Sequence, residues 1–133
     1  MTRSKVYLDS RTGQTFCSED AGEQPVPEDM PGVAGIFLGG CVSNGVGSSL
    51  DVRGQRTDAH AHIGNDPHKG WICYRNPVIY HDPACDYLRW HEYAHILANQ
   101  GHTDKWRRIM RQLGQPIPER YQPRPRKKAL KGA

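Results

Sequence analysis

The chain has 133 residues, 36% of them hydrophobic and 24% charged, with a formal charge of +4. That length supports one small domain with a single modest core, and ten prolines with 14 glycines predict a loop-rich fold. No run of about 18 apolar residues exists, which excludes a membrane-spanning helix, and the opening Met-Thr-Arg-Ser-Lys-Val-Tyr-Leu-Asp lacks a signal-peptide apolar stretch, so a cytoplasmic location is the expectation.

From the N-terminus, residues 5–17 read as a hairpin around Arg11-Thr12-Gly13, and residues 18–32 as an acidic, proline-bearing loop. Residues 1–32 thus precede a core expected over 33–115. Val33 to Leu38 is a short apolar run, expected as a buried strand. Residues 39–54 are rich in glycine and serine, but Gly45-Val46-Gly47-Ser48-Ser49 lacks the lysine of a phosphate loop and reads as a connection between strands. Strands near 59–63, 71–74 and 78–80 would complete a small antiparallel sheet. His60 and His62 alternate, so both face one side of that sheet. They read as an ordinary polar sheet face rather than as a metal site. Cys17, Cys41, Cys73 and Cys85 contain no C-x-x-C pair and match no zinc-finger spacing. Free thiols are expected for an intracellular chain, with a cysteine-based metal site as the lesser reading. His68 and His81 lie in expected turns and carry no specific signal.

The next segment is the most informative. Asp82-Pro83 reads as an N-cap followed by proline at the first helical position. Leu88, His91, His95 and Ala98 then recur on one helical face, flanked by Tyr87, Ala94 and Leu97, which predicts burial of that face. His91, Glu92 and His95 form H-E-x-x-H. Residues four apart on a helix point the same way, so two imidazoles can meet one metal ion while the Glu92 carboxylate reaches a water beside it. Gly101 reads as the helix stop that lets His102 turn back as a third ligand. Three protein ligands with one open position are the pattern of a catalytic rather than a structural zinc site. A second helix is expected from Thr103, with Trp106, Ile109, Met110 and Leu113 as its apolar stripe and Gly114 and Pro116 ending it. The expected fold class is α+β: a small antiparallel sheet packed on the H-E-x-x-H helix, followed by a second helix.

These residues carry a family resemblance. His91-Glu92-Tyr93-Ala94-His95, Gly101-His102-Thr103-Asp104-Lys105-Trp106 and Met110-Arg111-Gln112-Leu113-Gly114 resemble the SprT-like zinc metallopeptidases and the related WLM metallopeptidases. The resemblance covers roughly residues 70–115. It implies a zincin-like core, His91, His95 and His102 as Zn2+ ligands, Glu92 as the catalytic base, and a protein or peptide substrate. It also implies that Gly70-Trp71-Ile72-Cys73-Tyr74 is the edge strand before the catalytic helix. Such a site hydrolyses peptide bonds through a zinc-activated water, with Glu92 passing its proton to the leaving amine. Tyr80, Tyr87 and Tyr93 are candidate transition-state donors by residue type alone.

Charge is unevenly spread. From Lys105 onward there are ten basic residues and one acid, Glu119, a formal +9 against −5 for residues 1–104. Arg107, Arg108 and Arg111 fall off the apolar stripe and are expected at the surface, and residues 116–133 read as a basic disordered tail. Such a tail attracts phosphate backbones without sequence specificity. Several SprT-like proteases act on DNA-associated proteins, so the resemblance adds DNA as an expected partner. Two other functional readings fit the same residues: a non-enzymatic zinc-stabilised nucleic-acid-binding protein, and a zinc hydrolase of a non-protein amide. Glu92 argues against the first, because metal binding alone requires no carboxylate there.

Overall fold

A computed structural model of the chain describes residues 6–8, 15–48 and 57–123. Strand β1 (Val6–Leu8) pairs antiparallel with β2 (Thr15–Cys17), and Tyr7 stacks on Phe16 at 5.3 Å. The hairpin is as expected, although its Arg11-Thr12-Gly13 turn lies outside the described residues. The segment 18–32, expected as loop throughout, contains a short 3-10 turn and strand β3 (Gly22–Gln24).

Strand β4 (Gly35–Leu38) follows, then a small finger made of β5 (Gly40–Cys41) and β6 (Gly45–Val46). Gly40 is required at the finger's base. Its φ is +148°, and a Cβ there would lie 2.6 Å from the Gly45 carbonyl oxygen. Strands β7 (Ala59–Ala61) and β8 (Trp71–Tyr74) complete a four-stranded sheet in the order β3-β4-β8-β7. The outer pairs are antiparallel, but β4 and β8 run parallel. The sheet is therefore mixed, not antiparallel, because the long stretch between β4 and β8 gives room for a crossover. It also places Trp71–Tyr74 inside the sheet, with β7 at the edge; the expectation of an edge strand at 71–74 is corrected. The continuous apolar run of β8 fits this central position.

The expected strand at 78–80 is instead helix α1 (Pro77–His81). Asn76 caps it by accepting from the Ile79 N–H at 2.9 Å, and Pro77 sits in the first turn. A run this short carries no decisive period, so the cap settles the helix. Asp82 and Pro83 do form a cap and first turn, but of a separate 3-10 turn, Pro83–Cys85, with helix α2 running over Asp86–Ala98. Asn99, left-handed at φ 54°, ends α2 in place of the expected Gly101. After the intervening turn, Thr103 caps helix α3 (Asp104–Gln112).

Alternation along the sheet sorts its two faces. Ile36, Leu38, Ile72, Tyr74 and Ala59 are buried toward Met30, Ile79 and Tyr93 of α2. Full burial of each aliphatic side chain is worth about 1.5–3 kcal/mol. Ala94 and Ala98 of α2 pack separately on Trp106 and Met110 of α3. Tyr87 and Leu97, expected beside the buried face, are 53% and 40% exposed, since α2 buries Glu92, Tyr93, Ala94, His95 and Ala98. On the opposite face of the sheet, His60 is in register with Cys73, and Cys73 with Phe37. The fold is mixed α+β with small sheets and three α-helices among the described residues. No helix among them is long and apolar enough to cross a membrane.

Candidate metal centre

Three imidazoles converge where α2 meets the turn before α3. Nε2 of His91 and His95 are 3.3 Å apart, those of His95 and His102 3.2 Å, and those of His102 and His91 3.1 Å. Hydrogen bonding does not account for this triangle. Each neutral Nε2 either donates or accepts, so among three such atoms two share a role and their contact is unfavourable. The tautomer of His95 is fixed by its other nitrogen, since Nδ1 lies 2.9 Å from the Gln100 carbonyl oxygen, which only accepts. Nδ1 of His95 therefore carries the proton and Nε2 offers its lone pair to the triangle. Nitrogen ligands of a tetrahedral zinc, about 2.0–2.1 Å from the metal, stand about 3.3–3.4 Å from one another. The three residues fit such an ion.

The surroundings hold this arrangement. Trp106 is fully buried beneath it and touches all three rings, with centroid distances of 4.9 Å to His91, 5.2 Å to His95 and 4.7 Å to His102. Its indole N–H also donates to the His91 carbonyl oxygen at 3.2 Å. Arg107, expected at the surface, is half-buried: it pairs with Asp104 and donates to the carbonyl oxygens of His102 and Tyr121. That contact ties the third histidine to residues 119–121, where a 3-10 turn stands in the stretch assigned to the tail. Tyr121 lies flat on His102 at 3.7 Å, and Arg120 covers the outer side of Tyr121. Residues 124–133, with most of the tail's charge, lie outside the described residues.

Electrostatics favour unprotonated ligands. Burial, then the neighbouring histidines, push His91 down to about 3, and burial, then His95, Arg120 and Arg107, push His102 down to about 4. Burial also lowers His95. Glu92 is buried, with a carboxylate oxygen 4.0 Å from His91 Nε2, and burial raises its pKa well above the usual carboxylate value.

The triad and Glu92 line a cleft of about 650 Å³, shared with Tyr87, Arg120, Tyr121 and the edge strand β7. Of the three tyrosines named from sequence, Tyr87 alone reaches it. Tyr93 points away and donates to the Pro31 carbonyl at 2.7 Å, and Tyr80 packs edge-on against Tyr74. Tyr121, which also lines the cleft, was missed because it lies in the stretch read as a disordered tail.

A second cluster overturns the reading of His60 and His62 as a plain polar face. Cys41, His60, His62 and Cys73 bring one ligand atom each within 4.8 Å of one another, and the group can hold a metal ion. All four cysteines are free, with Cys17 and Cys85 outside the cluster and half-buried. Sequence spacing could not reveal this group, because β-sheet register and the 40–46 finger assemble it.

Comparison with protein-family models, with curated proteins and with solved structures found no match. The functional reading therefore stands on the residues themselves.

Proposed function

We propose that the chain is a zinc-dependent metallopeptidase of SprT-like type, with His91, His95 and His102 holding the metal and Glu92 as catalytic base. The observation that carries this reading is the Nε2 triangle of 3.1–3.3 Å sides beside the buried Glu92 carboxylate, at the wall of an open cleft. A zinc ion held there supplies a Lewis acid for a carbonyl oxygen and lowers the pKa of water to about 7.

The chain's own groups do the rest. Glu92 accepts the proton of the attacking water on a carboxylate oxygen and later delivers it to the leaving amine nitrogen. Burial raises its proton affinity, which suits a group that must both take and return a proton. The Gln100 carbonyl orients the His95 ring, Tyr121 stacks on the His102 ring, and Arg107 holds the His102 backbone carbonyl. Strand β7 has a sheet partner on one side only among the described residues and lines the same cleft. An extended peptide can add to such an edge through main-chain hydrogen bonds, which presents a scissile bond to the site. Tyr87 is the donor candidate from the original three. The basic C-terminal segment favours substrates associated with DNA, since it would bring the cleft to a phosphate backbone.

Cleavage of a basic DNA-binding protein by the zinc-loaded chain, with and without single-stranded DNA, tests the proposal beside Glu92→Gln. The expected result is a loss of about 10²–10⁴-fold in rate for the variant at unchanged zinc content. Equal cleavage by both proteins would remove Glu92 from the mechanism. Absence of cleavage with zinc bound would favour the non-enzymatic or non-protein-amide readings.

A further inference from the structure

The second cluster lies behind the sheet, away from the core shared with α2. Cys73 of β8 and His60 and His62 on and just beyond β7 face the same side, and the finger delivers Cys41 onto them. Cys41, Cys73 and His62 are buried and His60 is half-buried. Nε2 of His62 sits at the centre, 3.5 Å from Cys41 Sγ, 3.4 Å from Cys73 Sγ and 3.1 Å from His60 Nε2.

The other nitrogen of His62 decides what this centre is. Nδ1 lies 2.8 Å from a carboxylate oxygen of Asp66. A carboxylate accepts, so Nδ1 holds the proton and Nε2 presents one lone pair to three neighbours. One lone pair accepts one hydrogen bond, whereas a cation satisfies all the converging atoms together. Asp66 is itself fixed by the His68 N–H at 2.7 Å, and its hydrogen bond to His62 holds its pKa below the usual value. The Val42 N–H points at Cys73 Sγ at 3.4 Å, the kind of contact that stabilises a thiolate. For tetrahedral zinc, Zn–N near 2.0–2.1 Å and Zn–S near 2.3 Å give N···N of about 3.3–3.4 Å and N···S of about 3.5–3.6 Å. The observed spacings lie within about 0.2 Å of these, and a tetrahedral two-sulfur, two-nitrogen set is one that zinc takes.

We propose that Cys41, His60, His62 and Cys73 form a second, structural zinc site, with Asp66 orienting His62. The site is closed: four protein ligands leave no position for water or substrate. It also explains how the finger stays on the sheet. Among the described residues, the buried apolar cluster there is small, Cys41 and Cys73 with Phe37 and Val42 packed against them, and metal binding supplies folding energy where apolar burial is scarce. Because β7 carries His60 while lining the cleft, the second metal holds the cleft's edge strand in register.

Metal counting on the full chain under reducing conditions tests this. Native mass spectrometry of the zinc-loaded protein should give two zinc ions per chain. His91→Ala combined with His102→Ala should give one. Cobalt loaded into that double variant should show intense thiolate-to-cobalt charge transfer, which a nitrogen-only site lacks. In the otherwise native chain, Cys41→Ser with Cys73→Ser should lose that band while the three-histidine site keeps its metal. If the cysteine variant fails to fold, the wild-type count and the histidine double variant's cobalt spectrum still decide. One zinc per wild-type chain that the histidine double variant loses, or a histidine double variant that binds metal without a charge-transfer band, would overturn the proposal, whereas one zinc kept by the histidine double variant would overturn the three-histidine site instead. A Cys41–Cys73 disulfide in the reduced-and-loaded protein would overturn it equally.

Discussion

The two histidine clusters lie on neighbouring elements and are built for opposite ends. At the cleft, three imidazoles converge with a buried carboxylate beside them, and His102 is exposed. Behind the sheet, two imidazoles and two thiols converge with three of the four groups buried. With a tetrahedral ion bound, the first set would leave a coordination position open and the second would fill all four, the distinction between sites that react and sites that hold. The supports differ in the same way. The open set rests on one large buried ring, Trp106, and the closed set on a carboxylate and a strand register.

The largest expected effect that would sharpen this contrast is Trp106→Ala. Removing a buried tryptophan costs about 3–5 kcal/mol, and here it also frees all three ligand rings. Urea denaturation should show that loss, and metal counting should show zinc leaving the open cluster first. Zinc leaving both clusters equally would break the contrast. Next comes Asp66→Asn. An orienting carboxylate is worth about 10–100-fold in metal affinity, so competition with a chromogenic chelator should show weakening by that factor in the closed cluster only.

The metal-free chain should respond to pH in opposite senses at the two clusters. His91 and His102 fall from 6.5 to about 3 and about 4 in the fold. The unfolded chain therefore binds more protons over that interval, and the stability these groups contribute is complete above pH about 6.5 and lost as pH falls toward about 4 and 3. Cys73 rises from 9.0 to about 12 through burial. Its folded form keeps the proton longer, so its contribution is lost as pH rises above 9.0. Denaturation midpoints of the apo protein should decline on both sides, with Cys73→Ala flattening the alkaline limb and His91→Ala the acid limb. A smaller effect is expected for Tyr121→Ala, since one stacked pair is worth about 0.5–1.5 kcal/mol. It should weaken zinc in the open cluster by about tenfold or less, read by the same chelator competition.

The convergence of the three histidines was legible because they come from one helix and the turn that follows it. His91 and His95 repeat at helical spacing, and His102 is only seven residues beyond His95. Trp106 was legible as a core residue of α3, though not as the floor under three ligands. The closed cluster was hidden because its ligands lie in segments joined only by tertiary structure: Cys41 reaches the sheet through a finger, and Cys73 meets His60 through strand register. One misread fold detail shares that origin and the other is local. The parallel β4–β8 pairing depends on a crossover, and α1 depends on the Asn76 cap, neither of which hydrophobic period reveals.

Graded chelation of the zinc-loaded chain, with peptide cleavage and circular dichroism followed together, tests the division of labour most directly. Cleavage should disappear as the first zinc leaves while the folded signal holds, and the fold should be lost only with the second. Cleavage and fold lost in one step, or cleavage that persists after both ions are gone, would contradict that division.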